Sequence, residues 1–382
     1  RLVIASRSQM AQPGLRVAAM PAHPLQAGPA QLLAIAPARL LSDIAPLLQA
    51  RQAEGLSARA VDVADIYAHY SDGVTDPLAI RAFLRDAVAQ LGTEYLLLVG
   101  GDSYDYFDRL GLGSISDVPT TYGRTHAVVN HAPLDHAYAD LDDDGQLDLA
   151  VGRLPVRTSS ELRMLVDKIL TPNTSTEHTA VFAAERANAA EGSDYAAEVE
   201  ALIAALDPAW QAGAQRIYLD DYPTGAAGVA AARNDLRAAI NAGRRVVGYY
   251  GHGAPTLWSR EQLLQAAQLN SLLGNPAGAA PVVTEFGCWG GYFVAPEFNT
   301  MSHAWMNAGQ RGAVAMFAAS GLTEHASDRV MAATLLPALT QPGIRLGDAL
   351  RQSKQQLQDQ APEFADVIDG LTLFGDPSMT VQ

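Results

Sequence analysis

The sequence has little cysteine, little lysine and no long apolar run. Cys288 is the single cysteine and Lys168 and Lys354 the only lysines among 382 residues, and aromatic residues make up 7%. One cysteine excludes an intrachain disulfide, so cysteine usage says nothing of the redox compartment. No apolar stretch reaches the roughly 18 residues needed to cross a bilayer, so no membrane-spanning segment is expected. Basic residues are also short: 26 Lys and Arg stand against 41 Asp and Glu, a net charge of −15. That balance argues against a nucleic-acid partner, which asks for a basic face, and against an anionic membrane surface. No secretory signal is visible. The chain starts at Arg1 rather than methionine, from which removal of an upstream segment is expected.

What is present is ample core material, at 48% hydrophobic. The length suits two packed units rather than one small core. Residues 1–30, rich in Pro, Gly and Ala, read as a linker or the end of a preceding domain. Regular alternation follows. "LLAIA" reads as a strand and "LSDIAPLLQARQAEG" as a helix ending at Gly55. "LSARAVDVADIY" reads as a strand of period two. "DPLAIRAFLRDAVAQLG" is a helix capped by Asp76, with Pro77 in its first turn and Gly92 at its end. "YLLLVGG", "LDLAVGRLP", "TAVFAAE", "RRVVGYYG", "PVVTEFG" and "GAVAMFAAS" are buried-type strands. Thr158 and Glu161 form a capping-box pattern for the helix between the second and third of these. Strands alternating with helices predict an α/β fold of two adjacent sandwich subdomains with mostly parallel sheets. The expected division is 31–172 and 173–382, with a polar, proline-bearing boundary at "LTPNTST".

Two segments carry chemistry. "YYGHGAPTLW" places His252 between glycines just past one strand, and "TEFGCWGG" places Cys288 just past another. In open α/β sheets ligands sit beyond the carboxyl ends of strands. A thiolate is a nucleophile whose pKa falls beside a cationic imidazole, and histidine can then protonate a departing amine. The N–H groups of Gly253 and Cys288 suit an oxyanion. Taken alone, a single cysteine is more often core filler and a loop histidine is more often bonded to backbone. Their shared position and glycine flanks favour the pair. A nucleotide-binding reading lacks its phosphate-cradling glycine, because "IAPARLLSD" follows the first strand.

"YYGHG", "VVTEFGCWGG" and "LTLFGDPSM" together resemble the gingipain-type cysteine peptidases. Upstream, "QARQAEGLSARAVDVADIY", "YLLLVGGDSYD" and "LDDDGQLDLAVGRLPVRTSSEL" are similar to that family as well. The resemblance runs over roughly residues 30 to 382. It implies a caspase-like catalytic subdomain, Cys288 as nucleophile, His252 as general base and acid, and Gly253 and Cys288 as the oxyanion hole. It also implies that Glu185 orients the histidine and that Asp194 binds a basic substrate side chain, arginine above all. Trp289, directly after the nucleophile, is larger than expected, and either walls a pocket or narrows access. "GLTEHASDR" shows no match to the residues that line the family's arginine pocket.

"ADLDDDGQLDLAVG" sets Asp140, Asp142, Asp144 and Asp148 at positions 1, 3, 5 and 9 of a calcium-loop pattern, with Gly145 at its turn and Gln146 offering a carbonyl. Val151 stands where a bidentate glutamate would close a helix–loop–helix site. The pattern is nearer the glutamate-free calcium loops of extracellular proteins. A structural Ca2+, and no catalytic cofactor, is therefore expected. The expected function is endopeptidase cleavage after a basic residue, with maturation of exported proteins as its setting, at a secreted or cell-surface location and within a larger polypeptide. The rivals are a catalytically idle scaffold module and a sortase-like transpeptidase using the same thioester.

Overall fold

The computed structural model describes Leu25 and residues 28–171 and 177–381. Most of the 1–30 segment and the polar boundary at 172 lie outside the described residues. Ten strands form one sheet: β1 Leu32–Ala36, β2 Ala58–Asp62, β3 Tyr95–Val99, β4 Ala150–Leu154, β5 Ala180–Ala184, β6 Ala214–Tyr218, β7 Val246–Tyr250, β8 Val282–Phe286, β9 Ala315–Ala319 and β10 Leu371–Phe374. Their spatial order is β2-β1-β3-β4-β10-β9-β8-β7-β5-β6.

Every neighbouring pair is parallel except β9 with β10. The strand nearest the C-terminus thus sits in the middle, parallel to β4 on one side and antiparallel to β9 on the other. It joins the two halves edge to edge and reverses the direction of the second. Helices cover both faces, which explains the unbroken apolar strands. Along β1, Leu32, Ala34 and Ala36 enter one core while Leu33 and Ile35 enter another.

Local signals largely decide the helices. Asp76 accepts the N–H of Leu78, and Gly92 closes helix Pro77–Leu91 in the left-handed conformation at φ 67°. The Thr158–Glu161 capping box is formed in both directions. One expected strand is shorter than read. It stops at Asp62, whose carboxylate caps helix Val63–Tyr70. Aspartate competes for the free N–H groups of a helix start, and this overrides the period-two pattern. β6, "AQRIY", is an edge strand with partly exposed residues and carries too weak an apolar signal to read.

Candidate active site

Four adjacent parallel strands, β9, β8, β7 and β5, deliver their carboxyl ends to one edge of the sheet. Thr323, Cys288, His252 and Glu185 follow these ends in that same order. Cys288 and His252 line one small, open cavity of about 50 Å³ with Tyr195, Tyr250, Thr323, His325 and Asp328. Glycine makes the approach of the two loops possible: a Cβ on Gly253 would lie 2.5 Å from the carbonyl oxygen of Cys288, and one on Gly287 2.3 Å from that of Gly251. The same Gly253 Cβ would lie 3.1 Å from the Cys288 amide nitrogen, so the two candidate oxyanion donors belong to one locality.

Glu185 is buried and holds the imidazole. Its Oε2 accepts the His252 backbone N–H at 2.5 Å and stands 2.7 Å from Nδ1. With Nδ1–H directed at a carboxylate, Nε2 carries the acceptor lone pair of the ring. Tyr195 Oη lies 3.0 Å from Nδ1, and Tyr249 donates its hydroxyl to the His252 carbonyl at 2.7 Å. Arg260 donates to Nε2 at 2.9 Å and pairs with Glu191 at 2.7 Å.

Cys288 is half-buried. Its sulfur meets Thr323 three ways: Sγ donates to the carbonyl at 3.5 Å, and Sγ accepts from the N–H at 3.5 Å and from the hydroxyl at 3.7 Å. Burial pushes the thiol up, the Thr323 donors pull it back, and the charges of Asp328 and Glu285 push it up again. Two further acids close in from below. Glu285 and Asp328 are each pushed up to about 8, chiefly by burial.

Asp194 is exposed at the N-cap of helix Tyr195–Ala204, where it accepts the Ala197 N–H at 3.0 Å. Its neighbour Tyr195, rather than Asp194 itself, lines the cavity. Trp289 takes φ 69°, a strained value for a bulky residue. It packs with Val129, Ala132, Leu134 and Leu322 on a patch shared with the first half of the chain. Thr323, Asp328 and His325 were not singled out from sequence. They fall in "GLTEHASDR", and only the carboxyl end of β9 beside β8 signals their place.

In the acidic loop, Asp140, Asp142 and Asp148 bring one ligand oxygen each within 4.8 Å of one another. Asp144 does not join this group; it accepts the Gln146 N–H at 2.8 Å. Three carboxylates suit a hard cation such as Ca2+. Arg81 supplies nearby positive charge, pairing with Asp143 at 2.6 Å.

The model of Peptidase family C25 matches residues 26–382. No curated protein sequence matches the chain. Among solved structures, the Arg-specific cysteine proteinase gingipain R (RgpB) is similar over 95% of this chain and 80% of its own, at TM-score 0.73 and 18% identity. The complex of Porphyromonas gingivalis RgpB pro- and mature domains is similar over 92% and 80%, at 0.73 and 18%. A structure described as a protease is similar over 92% and 78%, at 0.69 and 15%. At these identities the structural likeness speaks for the fold, while the family match spans nearly the whole chain: the protein belongs to the gingipain family, Peptidase family C25, and is a cysteine peptidase.

Proposed function

We propose that Cys288 and His252 form the catalytic dyad of an endopeptidase that cleaves after a basic residue. The observation that carries this is the delivery of both side chains to one cavity by adjacent parallel strands, with Glu185 fixing Nδ1. The Cys288 proton passes to His252 Nε2, and the thiolate attacks the scissile carbonyl carbon. The oxyanion receives the N–H groups of Gly253 and Cys288. The imidazolium then protonates the departing amine, leaving a thioester that water hydrolyses with the imidazole as base. Glu185 stabilises the imidazolium and holds its tautomer.

The preference for a basic residue rests on acidic groups around the cavity. Asp194 opens the helix whose Tyr195 lines it, and Glu198, one turn on, pairs with the cavity residue His325 at 2.7 Å. The Arg specificity of the similar gingipain R points the same way. The acidic loop would hold Ca2+ through Asp140, Asp142 and Asp148, as a brace for its turn. A loop of that kind suits calcium-rich, extracellular or cell-surface surroundings.

One experiment covers the reading. A peptide library is cleaved with and without a chelator, alongside labelling by an arginyl chloromethyl ketone. Cleavage after arginine, a mass shift on Cys288 lost in His252→Ala, and weaker thermal stability in chelator are expected. No label on Cys288 from any activated peptide would overturn the dyad, and indifference to charge at the cleaved residue would remove Asp194.

A further inference from the structure

Among the described residues the Cys288 sulfur finds its hydrogen-bonding partners on Thr323 alone, and that residue has an unusual second contact. Thr323 Oγ1 lies 2.7 Å from Asp328 Oδ2. Asp328 is 7% exposed, and no cation pairs with its carboxyl group among the described residues. A threonine hydroxyl has one proton and here two acceptors, a carboxyl oxygen and a sulfur. Which one receives it depends on whether Asp328 itself carries a proton.

We propose that Asp328 is a positioning residue that acts through the Thr323 hydroxyl to hold the Cys288 thiolate. The proposal rests on the reading of Cys288 as nucleophile. With its proton in place, Asp328 donates to Thr323 Oγ1, and the Thr323 O–H turns to the sulfur beside the Thr323 N–H. Two donors then face the thiolate, which lowers the cost of forming it. Once Asp328 ionises, the hydroxyl turns back to the carboxylate. The sulfur loses a donor and gains a negative neighbour.

The surroundings keep Asp328 protonated near neutrality. Burial is the main cause, and Asp366 and Glu324 add repulsion, against the pull of the Thr323 hydrogen bond; together they bring the group to about 8. Glu324 comes from the preceding loop, Asp366 from helix Ala365–Ile368, Glu285 and Cys288 from β8 and its end, and Tyr250 from β7. His325 and Arg329 share its own helix, His325–Leu339. The acids outnumber the one permanent cation.

The test reads the thiol directly. Cys288 is the only cysteine, so iodoacetamide alkylation of the intact protein, followed by mass, reports one site. Rates are measured from pH 5 to 10 for wild type, Thr323→Val, Thr323→Ser and Asp328→Asn, beside kcat/KM for a peptide substrate. At pH 7, Thr323→Val alkylates about tenfold more slowly, the loss expected for one hydrogen bond to a charged group, while Thr323→Ser stays within about twofold because it keeps the O–H. Wild-type kcat/KM falls on the alkaline side with a midpoint near 8. Asp328→Asn, whose amide donates at every pH, abolishes that fall. Superimposable pH profiles for wild type and Asp328→Asn, or unchanged alkylation in Thr323→Val, overturn the proposal. If Asp328→Asn does not fold, the wild-type and Thr323→Val pH profiles decide: an alkaline fall that Thr323→Val keeps in full overturns the relay. Alkylation needs no peptide cleavage, so a chain that cleaves nothing but shows these alkylation shifts would sink the peptidase dyad and leave the relay standing.

Discussion

Arg260 occupies the lone pair on which the proposed chemistry depends. Its backbone N–H is fixed to Glu185 Oε1 at 2.7 Å, and its guanidinium reaches His252 Nε2 at 2.9 Å. The guanidinium there competes with the Cys288 proton for the same acceptor. The side chain is about half exposed, at 53%, so water screens the contact and its worth is at most about 1 kcal/mol. Arg260→Ala should therefore raise kcat/KM by about three- to fivefold, with fluorogenic peptide hydrolysis as the readout. An unchanged or lower value would show that the guanidinium leaves Nε2 without cost or serves the substrate. Cys288 and His252 were legible in the sequence because each follows an apolar strand run closely and has glycine beside it, while Glu185 came only through the family resemblance. Arg260 was not, since it returns to the site through a turn with Ser259 at φ 63° and Gln262 at φ 60°, geometry that no local pattern announces.

At the scale of the element, β8 shows how an apolar-looking strand can hide an acid. "VVTEF" is buried throughout, and Glu285 within it is fully buried. Its Oε2 accepts the Trp258 indole N–H at 2.7 Å, and Oε1 has no partner among the described residues. The glycines around the nucleophile invite a reading as room for substrate. Gly290 instead makes room for this carboxyl, because a Cβ there would lie 2.2 Å from both oxygens. Gly290→Ala should destabilise the protein by about 1–3 kcal/mol in urea unfolding, the usual cost of overpacking. In an Glu285→Ala background the same substitution should cost much less. Equal costs in the two backgrounds would mean that the loop, and not the acid, sets the requirement. Strands of the centre were readable because their burial on both faces leaves uninterrupted apolar runs. Their contacts were not, because a buried carboxyl is satisfied or strained by residues distant in sequence.

Across the whole molecule, the sequence pattern conveyed an α/β fold of mostly parallel strands but not the place of β10. Strand order is set by long-range pairing, and nothing local in "LTLF" says that it divides the sheet and reverses its second half. That central packing also fixes how stability responds to pH. Glu285 and Asp328 are pushed up to about 8 and Asp102 to about 6, each mainly by burial. A carboxyl raised by folding binds its proton more tightly in the folded state. Its stabilising contribution is full below the unfolded value near 4 and is lost as pH rises through the folded value. Buried Lys168 and Lys354, lowered by burial to about 7 and about 8, work in the other direction. Below pH 7 both are largely protonated, folded or unfolded. Buried His136 and His303, held down by burial, do oppose the carboxyls there, since their contribution is lost as pH falls through the ordinary imidazole value. The raised carboxyls are more numerous, with Asp117 and Asp369 among them, and set the sign between about 4 and 7. Thermal unfolding should therefore occur at a higher temperature at pH 5 than at pH 7, with Glu285 alone contributing roughly 2 kcal/mol to the difference. Glu285→Gln, which cannot ionise, should flatten the slope. A Glu285→Gln protein with the wild-type slope would show that this acid does not keep its proton in the folded state. The same result would remove the reason to expect Asp328 to donate towards the thiolate at neutral pH.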